Sequence, residues 1–154
     1  MTETDKTKYI ARNRRARRDY EIKNVLEAGI ELLGSEVKSL RDGKVNLSDA
    51  YAVVENGQVF LKNLHISPYK MATAEQHDPL RIRRLLLHKR EIRKLFAQTE
   101  QKGMTLIPIA IYFSGKLVKI ELAVAIGRKR YDKRQALAKA EAAKNISKAM
   151  KQDQ

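Results

Sequence analysis

The chain has 154 residues with a net charge of +14 and a pI near 10.1, and 43% of its residues are hydrophobic. This length and composition indicate one folded domain with a substantial core and flexible ends. The absence of cysteine excludes disulfides and thiolate metal sites and fits a reducing, cytosolic setting. No apolar run approaches the roughly 18–20 residues of a membrane-spanning helix, and the first twenty residues lack the hydrophobic segment of a signal peptide.

The positive charge is concentrated in three segments. Residues 1–20 carry a net charge of +4, residues 80–102 carry +6 and residues 127–154 carry +6, which leaves −2 for the rest of the chain. Much of the excess is arginine, whose planar guanidinium suits the geometry of phosphate groups. Nucleic acid is therefore the expected partner.

The N-terminal part of the chain predicts strands and one short helix. Residues 1–8 are polar and expected to be flexible, and residues 9–11 form a short strand. A long strand follows over residues 20–33, in which Gly29 predicts a bend or a bulge. A short helix over residues 36–40 has Glu near its start and Arg just after its end, as the helix dipole favours.

The middle of the chain contains a strong hairpin signal. Asn56-Gly57 lies between two β-rich runs, residues 50–54 and 58–61, and this dipeptide favours a tight hairpin turn. Residues 64–66 are interpreted as a continuation of the second strand. Residues 67–79 contain two prolines and predict a loop.

A helix and a second hairpin follow. The helix is predicted from about residue 80 or 84 to residue 102, with Gly103 as its C-terminal cap. Residues 105–113 and 116–126 form the hairpin, and Pro108 indicates an edge or a bulge there. The apolar stripe expected on this helix consists of Leu85, His88, Ile92, Leu95, Phe96 and Thr99.

The β pattern ends at Gly127, and an alanine- and lysine-rich segment follows. We expect residues 128–154 to be disordered alone and residues 135–150 to form a helix only when bound, because the apolar face is thin. The folded domain is predicted over residues 9–127. Its fold class is mainly β, an OB-like closed antiparallel barrel with a few flanking helices, a class that binds nucleic acids on an exposed face.

Two arginine groups are candidate RNA contacts. Residues 13–18 resemble an arginine-rich RNA-binding segment, although a plain surface cluster is the alternative. The second group lies at the start of the predicted helix, where cations oppose the helix dipole, so stability does not account for them and binding does. The candidates from both groups are Asn13, Arg14, Arg15 and Arg17, with Arg81, Arg83 and Arg84.

Two further residues are candidates for reading RNA bases. Tyr131 lies among cations with no apolar neighbour and could stack on a base, or it could be an incidental exposed tyrosine. Glu27 lies in a β-rich strand and could accept hydrogen bonds from base edges or a 2′-hydroxyl, or it could simply face solvent.

Catalysis finds little support in the sequence. His65, His77 and His88 have no nucleophile or metal-ligand partner at a diagnostic spacing, and no phosphate-binding P-loop is present. We therefore expect neither a metal nor another cofactor, and no enzymatic activity.

Several segments together resemble the SsrA-binding protein (SmpB) family. They occur in the family's order and cover roughly residues 9–134, and the segments at residues 34–41 and 132–134 are the most specific. The matching segments are residues 11–17, 27–29, 34–41, 78–79, 81–87 and 127–134.

The resemblance implies an OB-like barrel that binds the tRNA-like domain of transfer-messenger RNA and enters stalled bacterial ribosomes with elongation factor Tu. It implies a monomer that acts in the cytoplasm. By position, the resemblance assigns RNA binding to Asn13, Arg15, Glu27, Lys119 and Gly127.

The resemblance also implies a role for the C-terminal segment, which would occupy the decoding centre and the empty mRNA channel of the small subunit and fold into a helix there. The segment begins with Arg128, Lys129, Arg130 and Tyr131, and the motif required on the ribosome is Asp132, Lys133 and Arg134. Without the resemblance, a structural ribosomal or ribosome-assembly protein is the alternative, and an RNA-modifying enzyme is a weaker one.

Overall fold

The computed structural model describes residues 7–70 and 76–128, which form nine strands and three helices. The strands are β1 (Thr7–Arg12), β2 (Tyr20–Ile30), β3 (Val45–Asn46), β4 (Tyr51–Glu55), β5 (Gln58–Lys62), β6 (His65–Ile66), β7 (Arg83–Leu86), β8 (Met104–Ser114) and β9 (Leu117–Gly127). The helices are α1 (Ala16–Asp19), α2 (Gly34–Arg41) and α3 (Lys89–Thr99). The prediction of a mainly β protein with few helices is confirmed. Within these two ranges, no helix has the length and apolar character needed to cross a bilayer.

Seven of the strands form one antiparallel sheet in the order β1-β8-β4-β5-β7-β2-β9. Strand β9 also pairs with β8, so the hydrogen-bonded pairings run from β8 through β4, β5, β7, β2 and β9 and return to β8. Strand β1 lies beside β8, outside this ring of pairings. Strands β3 and β6 form a separate two-stranded sheet. The main hydrophobic core packs on one side of these strands, and we call the opposite side outward.

Strand β2 carries a register break at a different place from the one predicted. The break lies between Ile22 and Asn24, whereas the pairing at Gly29 is regular. Gly29 instead marks the point where β2 has β9 on one side and β7 on the other, opposite Lys119 and Leu86. A Cβ at Gly29 would lie 3.2 Å from Leu86 Cβ. The glycine therefore permits a close approach of β7 rather than a bulge.

The two hairpins form largely as the sequence indicates. Asn56 and Gly57 have φ values of 51° and 73°, the left-handed pair that a type I′ turn needs. The bulge predicted at Pro108 is confirmed, since the β8–β9 register shifts between Pro108 and Ala110. Residues 64–66 do not extend β5: the chain turns at Asn63, whose φ is 60°, and His65–Ile66 pairs with β3 instead.

The predicted start of the third helix is wrong. Arg83–Leu86 is a strand that pairs with both β5 and β2, and α3 begins only at Lys89. Burial alternates along this strand, with Arg83 and Leu85 buried and Leu86 exposed, which is the period of a strand. Sequence periodicity cannot separate helix from strand in so short an apolar run.

The apolar stripe predicted for this helix is therefore only partly confirmed. Leu95 is buried and Ile92 packs against the main core, but Phe96 is 50% exposed. His88 is exposed and precedes the helix, where its backbone N–H donates to Glu91 Oε1 at 3.0 Å. Gly103 lies in the turn after the helix, four residues beyond its last residue Thr99.

A buried ion pair joins α2 to β7. The side chains of Glu36 and Arg83 both have 0% exposure, and Glu36 Oε2 accepts from Arg83 Nε. Glu36 Oε1 accepts from Arg81 Nη2 at 2.6 Å and from the Leu33 backbone N–H at 2.8 Å. Arg83 also donates to the Leu64 carbonyl oxygen at 2.6 Å. Two charges can be buried here because each has several partners.

The same contacts shift the pKa values of both groups. Burial alone would raise the pKa of Glu36, but the hydrogen bonds from Arg81 and the Leu33 N–H and the charge of Arg83 outweigh burial, so that the pKa is lowered. Burial lowers the pKa of Arg83, and the Glu36 carboxylate opposes that shift. The carboxylate is thus the form of Glu36 that the fold stabilises.

Replacing Glu36 with Gln should lower the free energy of unfolding by about 3–5 kcal/mol, because Arg83 would remain charged and buried without its counterion. Urea unfolding at pH 7 measures this loss. Glu31→Gln is the matched control, because Glu31 pairs with Arg84 at the surface, where the side chains are 50% and 40% exposed and such a pair contributes about 0–1 kcal/mol. Equal loss in the two variants would contradict a structural role for the buried pair.

Acid should also weaken the protein through Glu36. Its pKa is lowered in the folded state from 4.5, so its contribution is complete above the unfolded-state pKa and is lost as the pH falls through the folded-state pKa. The free energy of unfolding, measured from pH 7 down to pH 3, should fall less steeply below pH 4.5 in Glu36→Gln than in the unmodified protein. Parallel profiles would show that other carboxylates account for the acid sensitivity.

Candidate nucleic-acid interface

The arginine-rich segment after β1 is held in a defined turn. The Asn13 backbone N–H donates to the Ile109 carbonyl oxygen at 2.8 Å, and Asn13 Oδ1 accepts from the Arg15 N–H at 3.2 Å. Asn13 therefore fixes the chain on β8 and shapes the turn into α1. This turn and helix expose three arginine side chains, which we call the basic cluster: Arg14, Arg15 and Arg17.

A small second core holds the basic cluster against the sheet. Ala16 is 2% exposed and packs with Ile107, Ala123 and Ala125 on the outward side of β8 and β9. This side is distinct from that of the main core, into which Leu122 and Val124 of the same strand point. The alanines leave room for α1 to approach closely, so the cluster rests on rigid strands rather than on a free loop.

The outward sides of β1, β8, β9 and β2 form a continuous surface, which we call the outer face. Strand register places its residues side by side, since Tyr9 is opposite Tyr112, Tyr112 is opposite Lys119 and Glu27 is opposite Glu121. Alternation along the strands directs these side chains away from the main core. Glu27 and Lys119, which are far apart in sequence, are therefore brought to one surface.

An aromatic pair covers one end of the outer face. The Tyr9 and Tyr112 ring centroids are 5.3 Å apart with planes inclined by 50°, and the Arg12 guanidinium carbon lies 4.0 Å from the centroid of the Tyr9 ring. Both arrangements are attractive for aromatic rings. Tyr9 is 46% exposed whereas Tyr112 is 7% exposed. Tyr9 is thus partly exposed, although Arg12 covers its ring and Tyr112 packs against it.

The Tyr112 hydroxyl donates a hydrogen bond to Glu27 Oε2. Burial of the phenol, together with this hydrogen bond and the negative charges of Glu27 and Glu121, raises the pKa of Tyr112 well above 10. The phenol therefore remains protonated and available as a donor at physiological pH. One carboxylate oxygen of Glu27 is engaged in this way, and Glu27 remains exposed.

A shallow cleft of about 290 Å³ connects the basic cluster to the outer face. Asn13, Arg14 and Arg17 line one side, and Glu121 of β9 lines the other. The cleft thereby juxtaposes cations with a carboxylate at the boundary of the two surfaces.

Gly127 ends β9 beside α1. It pairs with Tyr20, and the next residue, Arg128, donates its backbone N–H to the Asp19 carbonyl oxygen at 2.9 Å. A Cβ at Gly127 would meet no atom within 4 Å, so packing does not require a glycine here. The remaining predicted tail residues, Lys129, Arg130, Tyr131, Asp132, Lys133 and Arg134, lie outside the described residues.

Three arginines that the sequence predicts as RNA contacts, Arg81, Arg83 and Arg84, lie in or next to strand β7. They do not begin a helix, and each pairs with a carboxylate: Arg81 and Arg83 with Glu36, and Arg84 with Glu31. Arg83 has 0% exposure and cannot reach RNA in this fold. Arg81 and Arg84 are partly exposed, and the carboxylates of Glu36 and Glu31 offset two of the three positive charges.

Three residues of the outer face escaped the sequence reasoning: Tyr9, Arg12 and Tyr112. Their association depends on the pairing of β1 with β8, which joins residues about one hundred positions apart. Neither strand carries a local signal for this association, because the burial of Tyr112 and its contact with Tyr9 arise only when β1 pairs with β8. Within residues 7–70 and 76–128, no cluster of His, Asp and Glu has the arrangement of a metal site.

Comparison with known proteins identifies the family. The family model described as SmpB protein matches residues 10–152. The chain is 55% identical over 150 residues to an SsrA-binding protein of Halothermothrix orenii, covering 97% of each chain. It is 50% identical over 147 residues to an SsrA-binding protein of Geobacillus thermodenitrificans, covering 96% of this chain and 95% of the relative.

A solved structure is similar over most of the fold. It is described as "tmRNA-SmpB: a journey to the center of the bacterial ribosome", and it matches with a TM-score of 0.68 and 47% identity. The match covers 82% of this chain and 93% of the solved chain. The order of motifs, the mainly β fold and these four matches agree, and the chain belongs to the SmpB family of SsrA-binding proteins.

Proposed function

We propose that this protein binds the tRNA-like domain of transfer-messenger RNA and delivers it to stalled ribosomes for trans-translation. Its membership of the SmpB family supports this function, as do relatives named SsrA-binding proteins and a similar solved chain described with tmRNA and the bacterial ribosome. The structural observation that carries the proposal is the junction of the basic cluster with the outer face. Arg14 and Arg17 line a cleft there together with Glu121, and the exposed Glu27 lies directly opposite Glu121 on the neighbouring strand.

We also propose that the ring of strand pairings is an OB-like barrel. The succession β8-β4-β5-β7-β2-β9 and the return pairing of β9 with β8 support it. OB barrels bind nucleic acids on an exposed face of their strands, which fits the position of the outer face. A stiff barrel would hold the face in one shape for an RNA that is recognised by its fold.

The residues of the interface divide into two roles. Arg14, Arg15 and Arg17 would contact phosphates, with Asn13 setting their position, and would supply most of the affinity. Glu27 repels phosphates, so its exposed oxygen would accept a hydrogen bond from a base amino group or a 2′-hydroxyl. Lys119 lies on the outer face two residues before Glu121 on the same side of β9. It would add a further cationic contact. Gly127 would allow RNA to approach the end of β9.

The segment from Arg128 onward would act on the ribosome. In this proposal Arg128 through Arg134 bind the decoding centre of small-subunit rRNA, and the remaining residues enter the empty mRNA channel. Elongation factor Tu would accompany the protein and its RNA as one delivery complex, in which the protein is a monomer. The site of action is the bacterial cytoplasm, and the protein contributes binding and positioning rather than a catalytic step.

RNA affinity should depend steeply on salt because of the basic cluster. The double substitution Arg14→Ala with Arg17→Ala should weaken binding to the tRNA-like domain and reduce the slope of log affinity against log salt by about 1.4–1.8, or roughly 0.7–0.9 per phosphate contact. Titrations at several salt concentrations measure the slope. The matched control is Arg90→Ala with Arg93→Ala, which removes the same charge from the exposed side of α3. Equal slopes for both double variants would contradict a specific role for the cluster.

The tail should be separable from RNA binding. Alanine at Asp132, Lys133 and Arg134 should leave affinity for the isolated tRNA-like domain nearly unchanged and abolish tagging of nascent chains on stalled ribosomes. The β pairing is complete at Gly127, so truncation after Arg128 should likewise preserve the fold and the RNA affinity. A peptide-tagging assay and a gel shift with the isolated RNA, run side by side, measure the two effects. Normal tagging by the triple variant would exclude the ribosomal role, and equal loss in both assays would make the tail a second RNA-binding arm.

A further inference from the structure

Glu27 occupies an unfavourable electrostatic position. It is directly opposite Glu121 on the neighbouring strand, and like charges in directly opposed positions destabilise a sheet. Both carboxylates would also face the phosphates of any RNA on the outer face. A surface built only for cationic attraction would not place two acidic residues here. Their position requires a feature that holds Glu27 and compensates for the repulsion.

The hydrogen bond from Tyr112, two strands away, holds Glu27 in place. Tyr112 lies on β8, and its hydroxyl extends across β9 to donate to Glu27 Oε2 on β2. The ring is only 7% exposed, so few rotamers are open to it. Tyr9 packs against this ring at 5.3 Å, and Arg12 covers Tyr9. The donor is thus fixed by packing before any ligand arrives.

We propose that Tyr112 is a positioning residue that holds the Glu27 carboxylate in the orientation that RNA recognition needs; the inference rests on the proposed function. The phenol binds Oε2 and leaves Oε1 to accept a hydrogen bond from a base amino group or a 2′-hydroxyl of the RNA. Because the orientation exists in the free protein, binding does not have to restrict the Glu27 side chain. Tyr112 itself is too buried to contact the RNA.

The prediction is that Tyr112→Phe weakens binding to the tRNA-like domain by about tenfold, the scale of losing a hydrogen bond to a charged group. The slope of affinity against salt should not change, since no phosphate contact is lost. In a Glu27→Ala background, Tyr112→Phe should have no further effect, because the group that it positions is already gone. Tyr51→Phe is the matched control, since Tyr51 lies on β4 outside the outer face and is 37% exposed.

A titration checks the hydrogen bond independently of RNA. The pKa of Tyr112 is raised by burial and by the Glu27 carboxylate, so Glu27→Gln should bring the pKa of Tyr112 down toward 10 while burial still keeps it elevated. NMR of tyrosine labelled at the ring Cζ follows this phenol. An unchanged titration in Glu27→Gln would show that the hydrogen bond is absent in solution and would overturn the inference.

The binding experiment has clear outcomes. A loss in Tyr112→Phe that disappears in the Glu27→Ala background, with a urea midpoint matching that of the unmodified protein, supports the positioning role. Equal losses in both backgrounds, or a loss that follows a lowered urea midpoint, would show that Tyr112 contributes only to stability and would overturn the inference. If the unmodified protein fails to bind the tRNA-like domain, the proposed function fails and this inference fails with it.

Discussion

The buried pair of Glu36 and Arg83 is the contact on which the arrangement of the domain depends. It joins α2 to β7, and through Arg83 it also satisfies carbonyl groups of Leu64 and Pro79 on either side of the intervening loop. Three segments that are distant in sequence, around Glu36, Leu64 and Arg83, therefore share one charged centre. Because unpaired charges cannot remain in the interior, alternative packings of these segments are strongly disfavoured. The pair specifies which face of β7 turns inward, and so fixes β7 between β5 and β2.

This pair also explains why the prediction for Arg83 was wrong. An arginine in an apolar stretch is interpreted as surface-exposed, because arginine is rarely buried unless paired. Its partner Glu36 is 47 residues away and lies in a helix that gave no hint of a buried charge. Local sequence signals correctly predicted the hairpin turn and the bulge. Asn56-Gly57 and Pro108 act through backbone geometry that belongs to the residue itself, and such effects survive in any tertiary context.

The candidate interface likewise combines features that local sequence patterns predict with features that depend on tertiary contacts. The basic cluster, the alternating β9 strand and Glu27 are visible in the sequence, and the family resemblance adds Lys119. The aromatic pair depends on tertiary pairing, since β1 and β8 meet only in the folded sheet. Charge patterns thus indicated a polyanionic ligand, whereas the contacts of Tyr112 with Tyr9 and Glu27 arise only between distant strands. The positive charge can be read from the sequence, whereas the aromatic contacts can be read only from the folded sheet.

The small second core under α1 has a consequence for how this surface can change. The height of the arginines above the strands is set by the side-chain volumes of Ala123 and Ala125 against Ala16, whereas the main core lies on the other side of the sheet. One added methyl group at either alanine would displace the cluster and leave its charge intact. Sequence drift can therefore retune the spacing between cations and carboxylates in steps of a methyl group. Relatives that differ in RNA preference would then differ at these buried alanines, while their surface charges stay the same.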